Sequence, residues 1–196
     1  MYCILITGIP AAGKSTLAKA LSARLNIPML SKDSIKELLF DDIGFTSRAE
    51  KVALGVAAQN ILYYAARQLL LVNQPFILEN NFENASRDGL MALLGEFPCT
   101  AITITLTGDL PTIYSRFVQR NNDPSRHRGH VVNDRYPETE PPKPVTPPTF
   151  EQFTHGITSR GMTTFTAGGP HITLDMTHPE SLDLDALITQ LKILTQ

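Results

Sequence analysis

Gly8-Ile9-Pro10-Ala11-Ala12-Gly13-Lys14-Ser15 is the stretch whose reading decides this chain. Before it runs the apolar segment Tyr2–Thr7, and after it Gly13–Leu25 carries Leu17, Leu21 and Leu25 on one helical face. The eight residues fit GxxxxGK[ST] in the context where that pattern has a mechanism, a buried strand before and a helix after. Glycines let the backbone turn tightly, so that successive N–H groups point inward, and the helix N-terminus adds about half a positive charge behind them. Gly8, Pro10, Ala11, Ala12, Gly13, Lys14, Ser15 and Thr16 are therefore expected to surround the phosphates of a nucleotide. In that reading Lys14 reaches the β- and γ-phosphates and Ser15 ligates Mg²⁺, making ATP and Mg²⁺ the expected cofactors.

The 196 residues are 42% hydrophobic and 18% charged, enough apolar material for a core, and they read as one α/β domain over 1–196. A formal net charge of -2 gives no overall attraction to nucleic acid or to an anionic membrane. Tyr2–Ile9 has no basic leader and no small-residue cleavage site, and no run approaches the roughly 18 apolar residues of a membrane span. A cytoplasmic protein without a membrane partner is expected. Two cysteines, Cys3 and Cys99, are too few for a disulfide framework or a structural zinc site.

Further along, a short strand at Met29–Leu30 leads into a helix over Ser31–Phe40, with Asp33 or Ser34 as its cap. Ser47 and Glu50 form a capping-box pattern that opens a long helix to about Leu71. Phe76–Leu78 reads as a strand, Ser86–Leu94 as a helix, and Thr100–Leu106 as a half-buried strand in which Ile102, Ile104 and Leu106 alternate with threonines. Leu110–Asn121 is a helix, His171–Met176 a last strand and Pro179–Leu194 a last helix. This alternation predicts a parallel sheet covered on both faces. Six prolines between Pro137 and Pro148 exclude helix and central strand, leaving a polyproline-like loop over about 136–149.

Residues 1–40 and 76–130 resemble the small P-loop kinase group, which includes the 5′-kinase domain of polynucleotide kinase, chloramphenicol phosphotransferase-like enzymes and zeta-toxin-like kinases. The likeness rests on the loop quoted above and on Ser31-Lys32-Asp33-Ser34-Ile35-Lys36, which looks like the group's acceptor-side motif. Two further pieces are Ile77-Leu78-Glu79-Asn80-Asn81-Phe82, and Arg116-Phe117-Val118-Gln119-Arg120 running into Asp123-Pro124-Ser125-Arg126-His127-Arg128. It implies a P-loop three-layer sandwich with a mostly five-stranded parallel sheet and a basic lid over about 116–135. It also implies ATP-dependent phosphoryl transfer to a hydroxyl.

Such transfer needs positioning, charge neutralisation and a group for the hydroxyl proton. Asp33, at the tip of the second strand next to the strand that feeds the loop, is the expected acceptor carboxylate, or else a mere helix cap. Glu79 is expected to fix the Mg²⁺ water shell together with Ser15 or to contact the acceptor, or else to make only a structural hydrogen bond to the loop. Arg120 and Arg126 are expected to neutralise the transferring phosphoryl, with Arg116 on the nucleotide. The acceptor is read as a small hydroxylated molecule. The alternatives are a polynucleotide 5′-hydroxyl kinase, which would use the arginines on a phosphate backbone, and a nucleotide switch with no acceptor.

Overall fold

In the computed structural model, residues 1–139, 142 and 144–195 are described; the part of the proline-rich segment at Glu140, Pro141 and Lys143 lies outside them. Five strands, β1 (Tyr2–Gly8), β2 (Met29–Ser31), β3 (Phe76–Glu79), β4 (Thr100–Thr107) and β5 (His171–Asp175), form one all-parallel sheet. Its order is β2-β3-β1-β4-β5. The helices are α1 (Lys14–Leu25), α2 (Lys32–Ile43), α3 (Arg48–Leu71), α4 (Asn84–Gly95), α5 (Leu110–Asn121), α6 (Arg128–Val131), α7 (Phe150–Ser159) and α8 (Leu184–Leu194). Among the described residues no helix is long and apolar enough to cross a membrane.

Alternation along the strands sends side chains to two cores. Ile4, Ile6, Ile77, Ile102 and Ile104 pack beneath α1, α5, α7 and α8 through Leu21, Ile113, Ile157 and Leu187. Cys3, Leu5, Phe76 and Leu78 face α3 and α4 through Leu62, Leu70, Leu90 and Leu94. Helices on both faces are the arrangement that a parallel sheet requires. A third, small core of Phe40, Phe45 and Val132 joins α2 to the chain beyond α5.

Four readings from sequence need correction. β4 is not half-buried: it lies between β1 and β5, and Thr103 and Thr105 are as buried as the isoleucines between them. Their hydroxyls are satisfied locally, Thr105 by His171 Nε2 at 2.8 Å. The cap of α2 is Ser31, whose Oγ accepts from the Ser34 N–H, so neither Asp33 nor Ser34 is used. The strand next to β1 on that side is β3, not β2, and Asp33 therefore stands two strands from the loop. The last helix is broken: Pro179–Ser181 is a 3-10 turn, and α8 starts only after Asp183 accepts from the Ala186 N–H at 2.9 Å.

Sequence reading also missed α6 and α7. The second had a usable signal, since Thr149 and Gln152 form a full capping box.

Candidate active site

The loop between β1 and α1 is shaped by two glycines. A Cβ on Gly8, at φ 121°, would lie 2.0 Å from the Leu106 carbonyl oxygen, so this position admits no side chain. Gly13, at φ 92°, is the N-cap of α1 and turns the chain into the helix without a side-chain cap. Its amides are thus left for a ligand. Lys14 is buried and folds over its own loop, donating to the carbonyls of Gly8 at 3.0 Å and Ile9 at 2.8 Å. Burial pushes its ammonium down to about 8, against the attraction of Glu79 and Asp33.

A cavity of about 920 Å³ opens over this loop. Pro10, Ala11, Gly13, Lys14, Ser15 and Thr16 line one side, and Asp33, Glu79 and Asn81 come to it from the tips of β2 and β3. Arg116, Arg120 and Arg126 close it from α5 and the chain after it. Most of the site residues expected from sequence therefore share one cavity. Gly8 and Ala12 do not face it: Gly8 packs on Leu106, and Ala12 is buried in the core under α1.

Parallel register explains the meeting of the carboxylates, because Ser31 pairs with Glu79 and Ile6 pairs with Glu79 on the other side. Ser31 Oγ donates to Glu79 Oε2 at 2.5 Å while accepting from the start of α2. One hydroxyl thus ties the tip of β2 to the tip of β3. Burial raises the Glu79 carboxyl, opposed by the Ser31 hydrogen bond and the Lys14 charge. Ser15 and Glu79 both line the cavity beside Lys14, and the Ser15 hydroxyl is near enough to favour the Glu79 carboxylate slightly. That pair of hard oxygen donors fits Mg²⁺, which takes one or two protein ligands and keeps waters and phosphate oxygens for the rest. No group of three or more His, Cys, Asp or Glu side chains among the described residues could hold a metal by itself.

Asp33, released from capping, makes no hydrogen bond or ion pair with the described residues. Burial works against its ionisation, but the positive charges around it, first His130 where it is protonated and then Arg126, Lys14 and Lys36, outweigh this and hold the carboxyl below its ordinary value. His130 nearby is pushed down to about 3, chiefly by burial, and so is neutral at physiological pH.

The arginines separate into distinct uses. Arg116 donates through both terminal nitrogens to the carbonyls of Met176 and Thr177, at 2.6 Å each, which fixes its guanidinium at the end of β5. Arg120 and Arg126 each bury an Nε with no acceptor. Arg128 does not line the cavity and is engaged by Glu138 at 2.6 and 2.7 Å. Arg160, which sequence reading passed over, caps α7 and reaches the cavity while pairing with Glu83 at 3.2 Å.

The chain after α5 is fastened to α2 and α3. His127 Nδ1 accepts from the Gly129 N–H, which leaves Nε2 to donate to Asp41 at 3.0 Å. His130 meets Glu37 at 2.9 Å, and Tyr136 donates to Asp41 at 2.7 Å. Lys51, buried in α3, donates to the carbonyls of His130 and Val132 and to Asn133 Oδ1.

Solved structures share this architecture. A candidate kinase from Chloroflexus aurantiacus is 29% identical with a TM-score of 0.81, covering 100% of this chain and 98% of its own. Shikimate kinase from Bacteroides thetaiotaomicron is 14% identical, with a TM-score of 0.56 and coverage of 99% and 98%. A gluconokinase from Sinorhizobium meliloti 1021 is 12% identical, with a TM-score of 0.51 and coverage of 96% and 88%. Among curated proteins none matches. The fold is thus that of the small P-loop kinases. A family model described as AAA domain matches residues 3–142, well over half of the sequence, and the chain belongs to that AAA domain family.

Proposed function

We propose that this protein is a phosphotransferase that moves the γ-phosphoryl group of ATP onto a hydroxyl of a small-molecule acceptor. The observation that carries the proposal is the placing of Asp33. It shares a cavity with Lys14, is spared from capping by Ser31, and is held as a carboxylate by the cations around it. In this reading the acceptor oxygen forms a bond to the γ-phosphorus as the bond to the β,γ-bridging oxygen breaks. The hydroxyl proton passes to Asp33, and ADP leaves. Lys14, Arg120 and Arg126 neutralise charge on the phosphates, and Arg116 borders the nucleotide. Mg²⁺, held by Ser15 with Glu79 behind it, would supply further charge neutralisation. The 29% identity to a candidate kinase agrees with this reading.

The test is MgATP consumption across a panel of hydroxylated acceptors, followed by Asp33→Asn with the best of them. The variant should bind MgATP as the parent does while turnover falls about 10²–10⁴-fold, as for a lost general base. Comparable turnover would reduce Asp33 to a residue of the first turn of α2.

A further inference from the structure

Beside the cavity and outside its lining, where α2 and α3 meet the tip of β3, stand hydrogen-bond donors that have no acceptors among the described residues. Asn80 is fixed in orientation, because its Oδ1 accepts from the Asn81 N–H at 2.8 Å. Its Nδ2 therefore donates to Gln59 Oε1, at 3.0 Å, and this in turn fixes Gln59 with Nε2 unpaired. Gln59 is only 8% exposed. One turn earlier on α3, a Cβ on Gly55 would lie 3.5 Å from Lys36 Nζ, so the Lys36 ammonium occupies the gap between α2 and α3 that glycine leaves. Lys36 has no hydrogen bond or ion pair with the described residues, and burial lowers its pKa. It stands three residues after Asp33, on the same side of α2.

Every buried side-chain nitrogen or oxygen without a partner among the described residues is a donor: Gln59 Nε2, Arg120 Nε and Arg126 Nε. Of the neighbouring carboxylates Asp33 alone is unengaged among the described residues, and the phosphotransferase reading uses it for the hydroxyl; Glu79 is held by Ser31, Glu37 by His130 and Glu83 by Arg160. Unpaired buried donors are costly, and folds retain them where a ligand supplies what is missing. A neutral polyol would bring donors as well as acceptors. A carboxylate or phosphate brings acceptors alone, with the charge that Lys36 requires.

We infer that the acceptor is an anion, a hydroxylated carboxylate or phosphate ester whose charged group is received by Lys36 and Gln59 while its hydroxyl is presented to Asp33. This inference rests on the phosphotransferase reading above. Lys36 and Gln59 then determine which acceptor is used and take no part in the bond that breaks.

The experiment uses matched acceptors with one carbon skeleton ending in CH₂OH, in carboxylate or in phosphate ester, on five- and six-carbon polyols. MgATP consumption and acceptor binding are measured with the full chain. A charged member should exceed its neutral partner in kcat/KM by at least about tenfold, the range of a hydrogen bond to a charged group. Lys36→Met should abolish most of that preference through KM with MgATP affinity kept, and Lys36→Arg should retain it. The carboxylate and phosphate arms separate the two sources of charge. Neutral members equal to or better than charged ones would overturn the inference, as would a preference that survives Lys36→Met, or failure of every charged member to bind while MgATP binds. Turnover of neutral alcohols alone overturns it and leaves the phosphotransferase reading standing, whereas a protein that neither binds nor consumes MgATP refutes that reading first.

Discussion

Lys14 spends two of its ammonium hydrogens on its own loop, at Gly8 and Ile9, and has one left for a phosphate. Lys14→Ala should therefore weaken MgATP binding by at least about tenfold, since a hydrogen bond to a charged group contributes about 1.5–3 kcal/mol, and turnover should fall with it. Calorimetric titration of MgATP into the folded variant measures this, and an unchanged Kd would remove Lys14 from the site. Asp33 carries the next expectation. Its carboxyl lies below the ordinary aspartate value of about 3.9, so kcat should show no acid limb from this group anywhere above about pH 5. A pH profile with a limb near neutrality would assign the proton to another group. Lys14 and Asp33 were legible in the sequence because each sits in a contiguous run whose backbone context is local. Arg160 was not, because a lone arginine gains meaning only when α7 comes to lie beside the tip of β3, more than seventy residues earlier in the chain.

Ser31 joins two elements with one hydroxyl, capping α2 and binding the buried Glu79. Ser31→Ala should cost about 1 kcal/mol for the lost cap and a further 1–3 kcal/mol for the unpaired carboxylate, seen as a lower denaturation midpoint. A loss below about 0.5 kcal/mol would show that water replaces the hydroxyl. Lys51 fastens the segment at His130–Asn133 to α3. Burial, with Lys36, Arg48 and Arg126 nearby, lowers its ammonium to about 7. From that value up to the ordinary lysine value near 10.4 the unfolded chain binds the extra proton, so Lys51 adds stability as pH rises through this window. Lys51→Met should flatten that rise and speed hydrogen exchange at 128–133, while equal slopes in the two proteins would refute it. Strands and long helices were readable because apolar periodicity is local. The break at Asp183 was not, because the apolar spacing of Leu184, Leu187, Ile188 and Leu191 does not mark where the helix begins, and only the side-chain bond to Ala186 reveals the restart.

At the level of the whole molecule, strand order is the part that sequence left open, since β2 reaches β1 only through β3, and that pairing joins residues some fifty apart. The expected ligand should stabilise the chain as a unit. MgATP at 100 times its Kd adds about 2.7 kcal/mol, which for a chain of this size raises Tm by about 5–10 °C, and Lys14→Ala should lose the shift. The arginines also permit a test of scale. If Arg120 and Arg126 serve a small site, a short 5′-hydroxyl oligonucleotide should bind weakly at every salt concentration. A log–log slope of about 0.7 per contacted phosphate, flattened by Arg126→Ala, would instead favour a polynucleotide acceptor. α2 is a rod of about 18 Å that carries Asp33 in its first turn and is gripped from Glu37 to Asp41 by His130, His127 and Tyr136. On Phe40 rests Gly129, where even a methyl group would lie 2.3 Å from the ring. The Asp33 carboxylate and the Arg126 guanidinium, proposed to meet the acceptor and the phosphates, are therefore mounted on one rigid piece. Their spacing is machined into the fold in advance, and in that proposal a bound substrate would be gauged against it as a part is against a fixed caliper.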